Sequence, residues 1–151
     1  EGGIRGPLIV KAPGMKGGTT SSEPVTSVDY LPTIAEAARL DLPKGVEIDG
    51  TSLVDHLLSG GKESLGRKAI YWHFPHYRHN PGPYSIIREG SWKLIKFYEG
   101  PMELFNLADD LGEKKNLASA MPDKVKELDT RLLAHLQSIG AKMPKPNSEK
   151  K

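Results

Sequence analysis

The chain contains no cysteine. Disulfides and thiolate metal sites within it are therefore excluded, and the redox compartment stays open. No apolar run approaches the length of a membrane span. A surplus of one charge is missing as well. With 21 basic against 19 acidic residues the net charge is +2, which is not the electrostatic footprint of a nucleic-acid binder. Hydrophobic residues make up 37% of 151, a lean supply for a self-sufficient core. An initiator methionine is also lacking: Glu1-Gly2-Gly3-Ile4-Arg5-Gly6 runs directly into an apolar stretch. Natural starts show a methionine, a signal segment or a polar tail. The expectation is a chain that opens inside a larger protein, with the chemistry on residues outside it.

Glycine and proline are plentiful, 16 and 12 residues, and point to many turns and loops. Residues 7–12 form a short apolar run between Gly6 and Pro13-Gly14, the pattern of a buried strand. Residues 15–24 are rich in Gly, Thr and Ser and read as a loop. Thr26 precedes Asp29 by three positions, the spacing of a capping box. Val28, Leu31, Ile34, Ala35 and Ala38 then recur at helical spacing, with Pro32 near the first turn. Strand then helix is one βα step. Ser52 or Asp55 can cap a second short helix carrying Leu53, Val54, Leu57 and Leu58, closed by Gly60-Gly61. Residues 60–66 turn small and charged, which places a domain boundary there.

Beyond the boundary the pattern is β-rich. Residues 69–74 form a strand ended by Pro75, and residues 84–88 and 92–98 flank a hairpin turn at Glu89-Gly90-Ser91. Residues 102–107 add a fourth strand. A long helix follows, with Pro122 at its first turn, Gly140 at its end, and Val125, Leu128, Leu132, Leu136 and Ile139 on one face. That face is the natural cover for an antiparallel sheet. The tail from Lys142 reads as extended and solvated.

The residues around the first strand's end are the ones suited to chemistry. Residues 71–80 hold three of the five histidines, His73, His76 and His79, beside aromatics and Arg78. Histidine and arginine donate charge-assisted hydrogen bonds to an anion, and aromatic rings offer flat faces to a sugar. The candidate substrate-binding residues are His73, His76, Tyr77 and Arg78. The competing account makes Trp72 and Phe74 core and the histidines polar edge residues. His73 and His76 also form an H-x-x-H pair, but no Glu or Cys stands where it would complete a zinc set. Asp109-Asp110-Leu111-Gly112-Glu113 lacks the alternating oxygens of an EF-hand loop and reads as a turn. Asp29 reads as a helix-start group and Asp49 as a turn former. No G-x-S-x-G elbow supports a serine hydrolase.

Several of these segments stand in the order of a known family. Glu1-Gly2-Gly3-Ile4-Arg5 followed by Pro7 and Pro13-Gly14 resembles one of its turns. Ser27-Val28-Asp29-Tyr30-Leu31-Pro32-Thr33 is similar to its x-x-D-x-x-P-T helix start, and Asp49-Gly50-Thr51-Ser52-Leu53 to its D-G-x-S-L segment. Residues 87–95, with Arg88-Glu89-Gly90-Ser91-Trp92-Lys93-Leu94, resemble its C-terminal subdomain. So do Glu103-Leu104-Phe105-Asn106-Leu107, Asp110-Leu111-Gly112-Glu113 and Asn116-Leu117. The chain thus resembles the C-terminal portion of the formylglycine-dependent sulfatases, arylsulfatase-like members of the alkaline-phosphatase-like superfamily.

The resemblance implies an α/β fold. Residues 1–62 would close the large catalytic domain, residues 63–141 would form an α+β subdomain of about four antiparallel strands with one long helix, and residues 142–151 an extended tail. It implies sulfate-ester hydrolysis in the parent enzyme, with a nucleophile made from Cys or Ser in a C/S-x-P-S/A-R motif that this chain lacks. The nucleophile and the calcium ligands would lie upstream. No catalytic residue and no metal ligand is expected here, and the chain alone is expected to be inactive. The implied partners are a sulfated small molecule or carbohydrate and the rest of the sulfatase chain, with neither nucleic acid nor membrane. The chain would self-associate through apolar surface, and the resemblance implies a periplasmic or secreted enzyme. Two other readings stand beside it: a non-catalytic module for an anionic glycan or protein partner, and a phosphoryl-transfer enzyme of the same superfamily.

Overall fold

The computed structural model of the chain describes residues 1–78 and 82–145. It divides into two compact units, Pro7–Arg67, and Glu1–Gly6 together with Lys68–Lys151.

In the Pro7–Arg67 unit a single 3-10 turn, Ser27–Asp29, leads into helix α1, Tyr30–Ala37, and a short helix α2 follows at Val54–Leu58. Two motifs lock these together. The Asp29 carboxylate accepts from the backbone N–H of Thr26 at 2.8 Å and of Thr51 at 2.9 Å. The Thr33 hydroxyl donates to the Asp29 carbonyl at 2.6 Å and accepts from the Leu53 N–H at 2.9 Å. The x-x-D-x-x-P-T and D-G-x-S-L segments are therefore two halves of one docking joint. Gly50 sits where they meet, and a Cβ there would overlap the Val28 carbonyl. A Gly50→Ala variant must push the two segments apart, so it is expected to lose about 1–3 kcal/mol, readable as a lower denaturation midpoint.

Two expectations for this unit fail. Residues 7–12 pair with nothing in a ladder, and Ile9 is 90% exposed. A strand exists only through its hydrogen-bonded neighbours, and every strand among the described residues lies at or beyond Ile70. Helix α1 also turns a different face inward. Pro32 and Ala35 are buried, whereas Leu31 and Ile34 stay 51% and 65% exposed.

The other unit is a four-stranded antiparallel meander of β1 (Ile70–Phe74), β2 (Tyr84–Glu89), β3 (Trp92–Phe97) and β4 (Glu103–Asn106), in that spatial order. Gly90, at φ 57°, supplies the left-handed residue of the β2–β3 turn. Helix α3, Pro122–Ser138, lies on one face. Because side chains alternate along strands, Ile87, Leu94 and Leu104 point to that face and meet Leu128, Leu132 and Leu136 in one fully buried cluster. Tyr71 stacks on His135 with ring centroids 3.7 Å apart. Lys96 reaches Asp129 at 2.8 Å, closing the seam electrostatically. Truncating Leu132 to alanine opens a hole in this cluster and is expected to cost about 2–5 kcal/mol. The helix stripe ends one turn earlier than its pattern predicts, since Ile139 is 54% exposed beyond the last turn.

The opposite face carries a row of aromatics. The register aligns Phe74 with Tyr84 and Tyr84 with Phe97, and Phe74 and Tyr84 stack at 5.5 Å. The D-L-G-E and N-L segments close the β4 edge. Asn116 Oδ1 accepts from the Leu104 N–H at 3.0 Å, and the Leu117 N–H donates to the Leu104 carbonyl at 2.8 Å. The Asp110 carboxylate accepts from the N–H groups of Lys115 and Lys114. Those bonds hold it below the usual carboxylate range, and the segment is a turn.

Candidate substrate-recognition site

Pro75 cannot continue the β1 ladder, because it has no N–H to donate. The chain leaves the sheet there, and His76, Tyr77 and Arg78 are exposed. His79 lies outside the described residues. The structure brings His73, His76, Tyr77 and Arg78 to the same end of the sheet but gives them different surroundings.

His73 lies within β1, opposite Ser85 in the register. Its Nδ1 is 2.7 Å from the buried Ser85 hydroxyl, which in turn is 2.8 Å from the Tyr98 hydroxyl. Its Nε2 is 2.9 Å from the Lys142 carbonyl. As a carbonyl only accepts, Nε2 carries a proton; in the neutral ring Nδ1 then accepts from Ser85, and Ser85 from Tyr98. Both ring nitrogens are thereby committed to the chain itself. The single Tyr77 O–H proton is shared between the Glu99 carboxylate at 2.6 Å and the Lys145 carbonyl at 2.9 Å. His76 packs its ring edge-on against Phe74, centroids 5.2 Å apart. So Phe74 steadies the His76 ring by an edge contact, while His76 and Arg78 remain at the surface.

Sequence reasoning missed Ser85, Tyr98, Glu99, Lys142 and Lys145 as the groups that hold this corner. The hairpin register was the available signal for Ser85, because pairing β1 with β2 puts it across from His73. Nothing local marks the tail carbonyls.

Two ionic centres lie elsewhere. Asp29 is fully buried and takes both arms of the Arg67 guanidinium, with Nη1 to Oδ2 at 3.0 Å. Burial pushes its carboxyl up, but the bonds from Arg67, Thr51 and Thr26 outweigh burial and hold it below the usual range. In the sheet unit, Lys93 lies 2.6 Å from Glu113 and 3.1 Å from Glu1, with its side chain 4% exposed. Burial pushes its ammonium down, and the two carboxylates more than reverse this, so its pKa is raised. Arg88 approaches Glu1 at 3.8 Å. Among the described residues no group of three His, Cys, Asp or Glu side chains stands where a metal ion could be held. Two acidic residues of the family motifs are already engaged, Asp29 by Arg67 and backbone N–H groups and Asp110 by its own turn.

Comparison with known proteins places the chain. The family described as N-sulphoglucosamine sulphohydrolase, C-terminal, matches residues 1–142. A sulfatase of Formosa agariphila is 34% identical over 142 residues, covering 82% of this chain and 24% of that protein. Among solved structures, BT4656 in complex with its substrate D-glucosamine-2-N,6-O-disulfate aligns at a TM-score of 0.69 with 31% identity, over 82% of this chain and 26% of that one. A phosphonate monoester hydrolase of Silicibacter pomeroyi aligns at 0.67 with 26% identity, over 85% and 28%. The chain belongs to the family of sulfatase C-terminal regions, and its fold is that of the alkaline-phosphatase-like enzymes. It spans about a quarter of the length of the relatives it matches. No described helix is long and apolar enough to cross a membrane.

Proposed function

We propose that the chain forms the C-terminal part of a sulfatase that hydrolyses the sulfate ester of a carbohydrate. Its share of the work is packing and one wall of the substrate pocket, not the nucleophile. The observation that carries this reading is the agreement of the family match over residues 1–142 with a fold whose solved counterpart holds a disulfated glucosamine. The exposed Ile9, Leu31, Ile34 and Leu40 of the Pro7–Arg67 unit, 51–90% exposed, support it. Such a surface is normally covered by other protein, here the remainder of the catalytic domain. Left uncovered, it is the surface through which the chain alone would self-associate.

Within the site, His76 and Arg78 are the direct anion contacts, because both are exposed and both are cationic or neutral donors. His73 and Tyr77 act behind them, since their polar atoms are already engaged. Calcium, as in the resemblance, would supply Lewis-acid chemistry at the sulfate from ligands elsewhere in the enzyme.

The likeness to a phosphonate monoester hydrolase favours one second reading, a phosphoryl or phosphonyl ester as substrate. The full-length enzyme, assayed in parallel on a 6-O-sulfated glucosamine, an aryl sulfate and an aryl phosphonate monoester, separates the two. Sulfate release with little phosphonate cleavage supports the sulfatase reading, and the reverse preference replaces it. The 151-residue chain alone is expected to release neither product.

A further inference from the structure

The last described residues lie along the recognition corner. Helix α3 stops at Ser138, and Gly140, at φ 61°, turns the chain back. From there two backbone carbonyls are taken up by side chains of β1 and its following loop, Lys142 by His73 and Lys145 by Tyr77. The anchor points are three residues apart along the tail and four apart along β1 and its loop. Three extended residues span about 10 Å, so the tail runs alongside the end of β1 in the same direction. β1 is an edge strand, with β2 its only partner in the sheet. Pro144, lacking an N–H, lies between the two anchor points. The attachment is therefore through side chains rather than a β-ladder. Tyr77 ties three segments together, because its hydroxyl contacts Glu99 as well as the tail.

We propose that Lys142–Lys145 is a positioning strap for the recognition loop. By fixing Tyr77 and His73 it holds their neighbours His76 and Arg78 at the distance an anionic saccharide requires, and it brings two exposed lysines to the same corner. This rests on the substrate-recognition reading above for its functional half only. The strap contacts Tyr77 and His73 whether or not the substrate is a sulfate ester.

Limited trypsinolysis of the full-length enzyme reads the strap directly. The Lys142–Met143 bond is a cleavage site, whereas Lys145 is followed by proline. Tyr77→Phe removes only the hydroxyl, a bond worth about 1 kcal/mol. It is expected to speed cleavage after Lys142 about fivefold, with cleavage after Lys126 in α3 unchanged as the control. An unchanged rate after Lys142 overturns the strap. In the full-length enzyme, Tyr77→Phe and removal of residues 142–151 are each expected to raise KM for the sulfated saccharide severalfold more than they lower kcat. A faster Lys142 cleavage with KM unmoved would reduce the strap to a structural tie and overturn its positioning role. Should the wild-type enzyme release no sulfate from any ester, the sulfatase reading fails while the proteolysis result still decides the strap.

Discussion

Asp29→Ala is expected to unfold the Pro7–Arg67 unit at neutral pH. The substitution strands the Arg67 guanidinium, whose side chain is 15% exposed, and strips the acceptor from the N–H groups of Thr26 and Thr51. Removing one partner of a buried ion pair costs about 3–5 kcal/mol, a large share of the ~5–15 kcal/mol that holds a whole domain. The joint between the two motifs depends on this carboxylate, so the loss should be cooperative across the unit rather than local. Chemical denaturation followed in this unit checks it, and a midpoint near wild type would remove Asp29 from its central place. The pH dependence has a fixed sign. With its folded pKa below the unfolded value, Asp29 contributes stability that is complete above the ordinary carboxylate pKa, about 3.9. That contribution is lost as pH falls through the lower folded value. The unit should therefore be acid-labile, and Asp29→Asn should flatten that part of the profile while lowering stability at pH 7.

Lys93→Met should be comparably damaging in the sheet unit. Lys93 bridges the Glu1 and Glu113 carboxylates, and without it Glu113 keeps only the Glu1 α-ammonium and Glu1 only the more distant Arg5 and Arg88. The expected loss is about 3 kcal/mol, the low end for a broken buried pair, because those remaining cations still hold part of the charge. Neutralising a carboxylate as well tests the cause. Lys93→Met with Glu113→Gln is expected to recover part of the loss, because coupled residues are not additive. Full additivity would mean that Lys93 acts through packing of its stem instead. Glu113 has the same acid sign as Asp29. Burial raises its carboxyl, Lys93 and the Glu1 α-ammonium together outweigh burial, and the net shift is downward. Its contribution fades as pH drops through that lowered value.

The sheet and helix α3 were legible in the sequence because their signals are local. Alternation in strands, the Gly90 turn, Pro122 at the helix start and Gly140 beyond its end each depend on neighbours within a few residues. What escaped depends on residues far apart. Residues 7–12 carry a strand's composition yet have no strand to pair with, and pairing is invisible to composition. The Glu1 side chain joins the sheet through Lys93 and Arg88, 92 and 87 positions away. At the candidate site, the β1 loop was recognisable from its His and aromatic content. The division of labour within it was not. His73 and His76 look alike in sequence, but only His73 alternates onto the face where Ser85 and the Lys142 carbonyl consume both its nitrogens. Asp29 reads as a helix-start residue and is one, through the Thr26 N–H. Its bond to Arg67, 38 positions on, had no local mark.

The most direct test of the central claim is the KM of His76→Ala in the full-length enzyme for a 6-O-sulfated glucosamine, measured together with its melting temperature. A charge-assisted hydrogen bond lost at an exposed loop is worth about 1.5–3 kcal/mol, which predicts KM higher by roughly tenfold to a hundredfold. Because His76 is exposed, the melting temperature should stay at the wild-type value. An unchanged KM, or a KM that worsens only in step with lost stability, would contradict the assignment of this C-terminal loop to the substrate pocket.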